Sequence, residues 1–261
     1  MKWCKKMTKK SYAKVNIFLK IVGKRDHYHE IASRFVRVKN LFDVISFKEE
    51  KSNSFTLIGD FGCTVKQNTI YKAYTELSKL SPLVIDFFQN HKVIVEKNIP
   101  EFAGLGGGSS NCATFILMVN NVCKLQLSKD EMAKLGANIG ADVPFFVYEF
   151  ESANVSGIGE IVEKFEEESL EIETFTPKIK CDTGAIFQEF RENFYKETTK
   201  EERKKLFGMK SKDVLKSLTR ENANDLYLPA CSAYPALKVF EQNQNYFSGS
   251  GSSFFRLKCV G

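Results

Sequence analysis

The sequence predicts an α+β protein built in two parts, and three observations carry that prediction. Residues 11–21 change side at every step, with Ala13, Val15, Ile17, Leu19 and Ile21 on one face and Tyr12, Lys14, Asn16, Phe18 and Lys20 on the other. That is the period of a strand. A glycine-rich stretch, Pro100-Glu101-Phe102-Ala103-Gly104-Leu105-Gly106-Gly107-Gly108-Ser109-Ser110-Asn111, stands between a strand-like run at 92–96 and an apolar, helix-like run at 112–119. Composition turns acidic at 163–171, which places a boundary near residue 150 and gives parts 1–150 and 151–261.

The remaining elements follow in order. The alternating strand at 11–21 is expected to be half-buried, with Lys14 and Asn16 pointing the same way. Residues 23–29 read as a turn that delivers Tyr28 and His29. Strands are expected at 34–38, 43–47 and 54–61, the last with Gly59-Asp60 as turn chemistry. Asn68 is placed to cap a helix over 69–80, and Pro82 to start a short helix near 84–88. The helix after the glycine stretch runs to about residue 124, with Ser109, Ser110 or Asn111 as its cap. Ser128 and Glu131 form a capping box that opens a helix ended by Gly140. Asp142 then sits in a short loop before an apolar strand at 145–148.

In the second part, 156–160 is a tight turn and 163–171 a solvated acidic surface. A strand at 175–181 precedes a helix over 183–194. Residues 197–205 read as an exposed charged helix, and 211–218 and 234–241 as further helices. Ser248-Gly249-Ser250-Gly251-Ser252-Ser253 is a second Gly/Ser loop, feeding a strand at 254–257.

Four glycines in five positions let the backbone turn sharply and approach a ligand. A glycine loop that opens a helix aims free N–H groups and the positive end of the helix dipole at one point, which suits a phosphate. The loop is not a Walker A loop, because no Gly-Lys-Ser/Thr closes it. A strict G-x-G-x-x-G from Gly104 fails at Ser109.

The 261 residues carry a net charge of +6, with much of the excess at Lys2, Lys5, Lys6, Lys9 and Lys10. No basic face is evident elsewhere, so a nucleic-acid partner is not expected. Seven scattered cysteines without a C-x-x-C, and three histidines, argue for reduced thiols and against a zinc site. No apolar run is long enough for a membrane span and no signal core follows the basic start, so a cytoplasmic location is expected. Taken alone, Lys14 reads as a solvated lysine, and Asp142 as either a turn former or a functional carboxylate.

The motifs taken together resemble the GHMP kinase superfamily of galactokinase, homoserine kinase, mevalonate kinase and phosphomevalonate kinase. The match to its central motif is Pro-x-x-Ala-Gly-Leu-Gly-Gly-Gly-Ser-Ser-Asn at 100–111. Ser11-Tyr12-Ala13-Lys14-Val15-Asn16 with Tyr28-His29, and Gly140-Ala141-Asp142-Val143-Pro144-Phe145-Phe146, are similar to one branch of it. That branch phosphorylates 4-diphosphocytidyl-2-C-methyl-D-erythritol in the non-mevalonate isoprenoid pathway. Ser248-Gly249-Ser250-Gly251 is similar to the third superfamily motif, and the resemblance runs from about residue 10 to residue 257.

The resemblance implies a ribosomal S5 domain 2-like N-terminal domain and a ferredoxin-like C-terminal domain, with the active site in the cleft between them. It implies Lys14 and Asp142 as the catalytic pair. Asp142 would take the proton of the 2-hydroxyl, and Lys14 would hold Asp142 ionised and stabilise charge near the γ-phosphoryl. Pro100, Ala103, Gly104, Leu105, Gly106, Gly107, Gly108, Ser109, Ser110, Asn111 and Asn68 would bind ATP. Asn16, Tyr28, His29, Ile158 and Phe187 would bind the substrate, the aromatic rings enclosing the cytosine. Mg²⁺ would ride on the triphosphate, with its protein ligands unassigned. The implied partners are the small-molecule substrate and ATP, with no nucleic acid, membrane or obligate protein partner. Departures from the family pattern are Tyr12 in place of proline, His27 in place of the turn glycine, and the bulky Glu101-Phe102.

Three other readings compete. A GHMP kinase of the homoserine or mevalonate type would not need Tyr28, His29 and Phe187. A non-catalytic RNA-binding protein with an S5-like fold, or a nucleotide-binding regulator, would not need Asp142.

Overall fold

The computed structural model describes residues 7–240 and 245–258. Lys2, Lys5 and Lys6 of the basic start, Cys4, Cys259, and Glu241 at the end of the expected 234–241 helix lie outside the described residues. In chain order the elements are β1 (Thr8–Arg25), β2 (Tyr28–Glu49), β3 (Leu57–Ile58), α1 (Thr69–Leu80), α2 (Pro82–Gln89), β4 (His91–Glu96), α3 (Gly107–Val122), α4 (Lys129–Ala137) and α5 (Val143–Tyr148). After them come β5 (Ser152–Ser156), β6 (Ile161–Lys164), β7 (Ile172–Phe175), α6 (Thr183–Glu189), α7 (Lys200–Gly208), α8 (Ser211–Ser217), α9 (Arg220–Ala223), α10 (Tyr227–Ala233), β8 (Tyr246–Phe247) and β9 (Phe254–Leu257).

The chain forms two compact units that interleave in sequence. Unit 1 takes Met1–Ala13, Leu41–Ile99 and Gly107–Glu149; unit 2 takes Lys14–Asn40, Pro100–Gly106 and Phe150–Gly261. The units are therefore not the contiguous parts 1–150 and 151–261, since Lys14–Asn40 and Pro100–Gly106 fall in unit 2.

In unit 1 the second half of β2 pairs antiparallel with β4, from Val44 opposite Glu96 to Glu49 opposite His91. β3 joins β4 in parallel. The strand expected over 54–61 is reduced to these two residues. Helices α1 and α5 pack on α3, which is why α3 is apolar on all sides rather than along one stripe. Phe47, Phe88 and Phe115 form its aromatic centre, with centroids 5.3–5.8 Å apart.

The segment read as a strand at 145–148 is helix α5. Pro144 stands in its first turn, where a missing N–H costs nothing, and Val143 to Val147 are all buried. A short apolar run buried on every side has no periodicity to separate strand from helix. Ser128 and Glu131 form the expected capping box of α4, and Asn68 accepts from Ile70 N to cap α1. Ser109, Ser110 and Asn111 do not cap α3: the helix already begins at Gly107.

In unit 2 the strands expected separately at 34–38 and 43–47 are one strand, β2, which continues into unit 1. β2 pairs antiparallel with β5 (Ser33 opposite Val155), and β5 with β6. β7, β9 and β8 form a second sheet. The strand expected over 175–181 does not form: β7 lies before it, at Ile172–Phe175, and shares only Phe175 with that range. α6 passes into a π-turn over Phe190–Phe194, and the short helix expected at 234–241 is a 3-10 turn over Pro235–Phe240. Helix α10 had no distinct sequence signature.

The half-buried expectation for β1 fails: from Lys14 to Ile21 every residue is buried, so both faces are covered. This is possible because each polar member finds partners. Lys20 Nζ meets Asp225 at 2.5 Å, whose other oxygen accepts from Ile21 N at 2.8 Å. The acidic run also differs from expectation at one residue. Glu167 is buried against Arg34 at 3.9 Å and accepts from Ser211 N at 2.8 Å, holding the start of α8. Arg34 is fully buried and donates to the carbonyls of Phe207 and Met209, which end α7, and to Asn154. Burial lowers its pKa to about 10, against the pull of Glu167.

Candidate active site

Within unit 2 the first glycine loop is held by β1 and by the second Gly/Ser loop. Lys14 N donates to Leu105 O at 2.9 Å and Ser253 N to Ala103 O at 3.1 Å. The Gly104 carbonyl accepts from Ser248 Oγ at 2.9 Å and from Lys14 Nζ at 3.3 Å. Gly104 has φ +72°, and a Cβ there would overlap the Ser248 carbonyl oxygen. Only glycine fits that backbone and that contact.

Lys14 and Asn16 share a face, as the alternation predicts. Lys14 Nζ donates to Asn16 Oδ1 at 2.7 Å, and Asn16 Nδ2 donates to Ser33 Oγ at 2.9 Å. Both side chains are buried. Lys14 Nζ also stands 4.5 Å from the centroid of the Phe35 ring, so the ammonium is held by a carbonyl, an amide and a π-face rather than solvated.

Of the predicted substrate residues of this unit, His29 and Phe187 are in contact. His29 stacks on Phe187, centroids 5.3 Å apart and planes at 17°, with Phe190 edge-on at 5.6 Å. His29 is 6% exposed and its Nε2 has no hydrogen-bond partner. Burial, then Arg191 and Lys24, push its pKa below 6.5, so the ring is neutral at pH 7 and one nitrogen is an acceptor. Tyr28 is 63% exposed and presents its ring outward. The turn carrying Ile158 is tied to the same hairpin, through Ile31 N to Gly157 O at 2.7 Å and Arg25 to Glu160 at 2.5 Å. Between β1 and β2 the residue with positive φ is Asp26, not His27. Aspartate takes that conformation more readily than most residues, so the turn forms without the family's glycine.

Within unit 1 the loop continues as the first turn of α3. Gly107 packs so closely on Ile99 that a Cβ would come within 3.0 Å of Ile99 Cγ2, whereas a Cβ on Gly108 would meet only Thr69 Oγ1, at 3.9 Å. Gly108 is exposed, so the open side of the loop lies there. Thr69 Oγ1 donates to Gly108 O at 2.7 Å, which brings the Asn68 cap beside the loop. Ser110 and Asn111 turn inward: Ser110 shares a hydrogen bond with Ser11, and Asn111 donates to Asp43. Their side chains serve the frame rather than the open face. Pro100 is half-buried, and Ala103 and Leu105 are buried, so this part of the loop offers its backbone.

Asp142 belongs to the same unit. A Cβ on Gly140 would stand 3.5 Å from Ser109 Oγ, so the Asp142 loop adjoins the first turn of α3. A Cβ on Gly136 would overlap Val143, which shows how tightly α4 seats the start of α5. The Asp142 carboxylate does not cap α5, which excludes the helix-cap form of the turn-forming alternative. Among the described residues no group of three His, Cys, Asp or Glu side chains is placed to hold a metal ion. Cys112, Cys123 and Cys181 are buried free thiols; burial pushes Cys123 and Cys181 up to about 11.

Sequence reasoning missed Ser248 as an anchor of the first loop, although its Gly/Ser setting was visible. It also missed Asp43 and Lys97. The signal available was a lone carboxylate inside the apolar run Leu41-Phe42-Asp43-Val44-Ile45.

Comparison with known proteins agrees with this architecture. The family model for the GHMP kinases N terminal domain matches residues 68–150. The chain is 52% identical over 255 residues to the 4-diphosphocytidyl-2-C-methyl-D-erythritol kinase of Sulfurimonas denitrificans, covering 95% of this chain and 96% of that protein. It is 48% identical over 252 residues to the enzyme of the same name from Sulfurovum sp. strain NBC37-1, covering 95% and 98%. A crystal structure of 4-(cytidine 5'-diphospho)-2C-methyl-D-erythritol kinase superposes with a TM-score of 0.73 at 25% identity, over 97% of this chain and 90% of that one. The homoserine kinase of Cytophaga hutchinsonii, at TM-score 0.63 and 13% identity over 97% and 84%, shares the α+β fold. The chain belongs to the GHMP kinases, in the family of the 4-diphosphocytidyl-2-C-methyl-D-erythritol kinases.

Proposed function

We propose that this protein transfers the γ-phosphoryl group of ATP to the 2-hydroxyl of 4-diphosphocytidyl-2-C-methyl-D-erythritol, giving the 2-phosphate and ADP. The observation that carries the reading is the adjacency, within unit 1, of the Asp142 loop and the first turn of the glycine-loop helix. A carboxylate beside a phosphate cradle is what an alcohol kinase needs. The near-full-length identity to kinases of that name supports the choice of acceptor.

In this reading the N–H groups around Gly106, Gly107 and Gly108 receive the donor phosphates. Asp142 orients the acceptor hydroxyl and takes its proton as the new O–P bond forms. The bond between the γ-phosphorus and the β–γ bridging oxygen breaks, and ADP leaves with that electron pair. Lys14 offsets the negative charge of the transferring group. Mg²⁺, arriving on the triphosphate, supplies further neutralisation. Asn68 borders the nucleotide, Asn16 the reacting end of the acceptor, and Tyr28, His29, Ile158 and Phe187 the cytosine. The unpartnered acceptor or donor at His29 Nε2 suits the edge of a pyrimidine. A cytoplasmic location belongs to this reading and is supported by the free thiols of Cys112, Cys123 and Cys181.

The test is a coupled ADP-release assay with the diphosphocytidyl acceptor, mevalonate and homoserine in separate arms. Release with the first alone is the expected result. Release with either of the others alone reassigns the acceptor, and no release with any removes the kinase reading.

A further inference from the structure

Asp43 is fully buried in β2 within unit 1, and both its oxygens are engaged. Oδ1 accepts from the backbone N–H groups of Asn98 at 2.7 Å and Ile99 at 2.8 Å. Oδ2 accepts from Lys97 Nζ and from Asn111 Nδ2, the latter at 2.9 Å. Lys97 Nζ donates in addition to Asn111 Oδ1 at 3.1 Å. Asn111 Nδ2 also reaches Ser11 Oγ at 2.9 Å, and Ser11 shares a hydrogen bond of 2.7 Å with Ser110.

One carboxylate thus fastens two pieces of chain to β2: the residues after β4 and, through Asn111, the N-terminal part of α3. The segment between those two pieces is Pro100–Gly106, the body of the glycine loop. Asp43 therefore holds the loop by both of its feet. The feet also touch, because a Cβ on Gly107 would stand 3.0 Å from Ile99 and 3.5 Å from Lys97 Nζ. At 0% exposure Asp43 itself touches no ligand.

We propose that Asp43 is a positioning residue for the nucleotide: by clamping both feet of the loop, it fixes the N–H groups that receive the donor phosphates. The proposal rests on reading the loop as the phosphate cradle of an ATP-dependent kinase. Loose feet would leave conformational freedom that binding must then remove, so the effect falls on nucleotide affinity. A fully satisfied buried polar network also loses more than one bond when one member is replaced. In Asp43→Asn the retained oxygen can keep both backbone N–H groups. Its new amide would face the Lys97 ammonium and the Asn111 amide, donor against donor.

The experiment measures binding of ADP and, separately, of 4-diphosphocytidyl-2-C-methyl-D-erythritol by calorimetry, well below the melting temperature of each variant. For Asp43→Asn the expected result is an ADP Kd raised about tenfold or more with the acceptor Kd within about twofold. The double variant Asp43→Asn, Lys97→Met removes the unpaired buried ammonium and serves where the single variant does not fold; its ADP Kd is expected to stay about fivefold raised. ADP affinity within about twofold of wild type in the folded variant, or equal loss for both ligands, overturns the proposal. Wild-type protein that binds no ADP removes the phosphate-cradle reading, and the proposal with it. Wild-type protein that binds ADP without transferring phosphate removes only the proposed reaction.

Discussion

Ser248 and Gly104 meet twice: the Ser248 hydroxyl donates to the Gly104 carbonyl at 2.9 Å, and the Ser248 carbonyl fills the space a Gly104 side chain would need. Residues 144 apart in sequence are thereby joined backbone to backbone. Gly104→Ala is expected to cost both stability and turnover, because the neighbour that must yield is main chain and the φ of +72° is strained for alanine. Gly108→Ala, with open space before it, is expected to keep its Tm within about 2 °C while raising the KM for ATP. Thermal melts beside ATP titrations separate the two. Equal behaviour of both variants would contradict this reading of the loop.

Asp142 and Lys14 give a second test. Asp142→Asn costs α5 no cap, and kcat is expected to fall by about 10²- to 10⁴-fold. Lys14→Met should lower kcat too, but it also strands Asn16 and the Gly104 carbonyl in a buried setting and therefore should lower Tm. Steady-state kinetics for both variants, with a melt for Lys14→Met, check these outcomes. Turnover by Asp142→Asn within threefold of wild type, about 0.7 kcal/mol, would sink the assignment.

His29 makes stability depend on pH in a stated direction. Its folded pKa lies below 6.5 because burial and the nearby Arg191 and Lys24 disfavour the imidazolium. The unfolded state therefore binds the proton first as pH falls through 6.5, so stability drops from there down to the folded pKa and then levels. Wild-type protein should lose more Tm between pH 7.5 and 5 than His29→Gln, measured by calorimetric scans in matched salt. A larger loss in the variant would reverse the argument.

Arg34 predicts a purely structural effect. It is fully buried, faces the carbonyls that end α7, and lies beside Glu167. Arg34→Met should destabilise by about 3–5 kcal/mol in urea unfolding, since it leaves a buried carboxylate and several carbonyls uncompensated. The acceptor KM should follow only as far as folding does.

Much of the site was legible in the sequence because it is made of residues whose chemistry is local. The alternation over 11–21 placed Lys14 and Asn16 on one face, and the capping box at Ser128 set the start of α4. Two misreadings share a cause: burial on all sides erases periodicity. It hid helix α5 and concealed that both faces of β1 are covered, whereas β2 looked like two strands because the exposed Lys39-Asn40 pair interrupts its apolar pattern. Glu167 was misread for the opposite reason. A carboxylate in an acidic run looks solvated until Arg34, 133 positions earlier, is brought to it.

The interleaving of the units also bears on how the chain is made. It passes between units after Ala13, Asn40, Ile99, Gly106 and Glu149. On the ribosome, unit 1 has its last residue when Glu149 emerges. Lys14–Asn40 belongs to the other unit: its pairing strand β5, and the helices that cover Leu19, Ile21 and Ile31, arrive only with the C-terminal stretch. At about 5–20 residues per second that apolar hairpin waits on the order of 5–20 s for its cover. A nascent chain arrested after Glu149 should therefore present a folded unit together with a sticky, uncovered ribbon, a natural client for a chaperone at the exit tunnel.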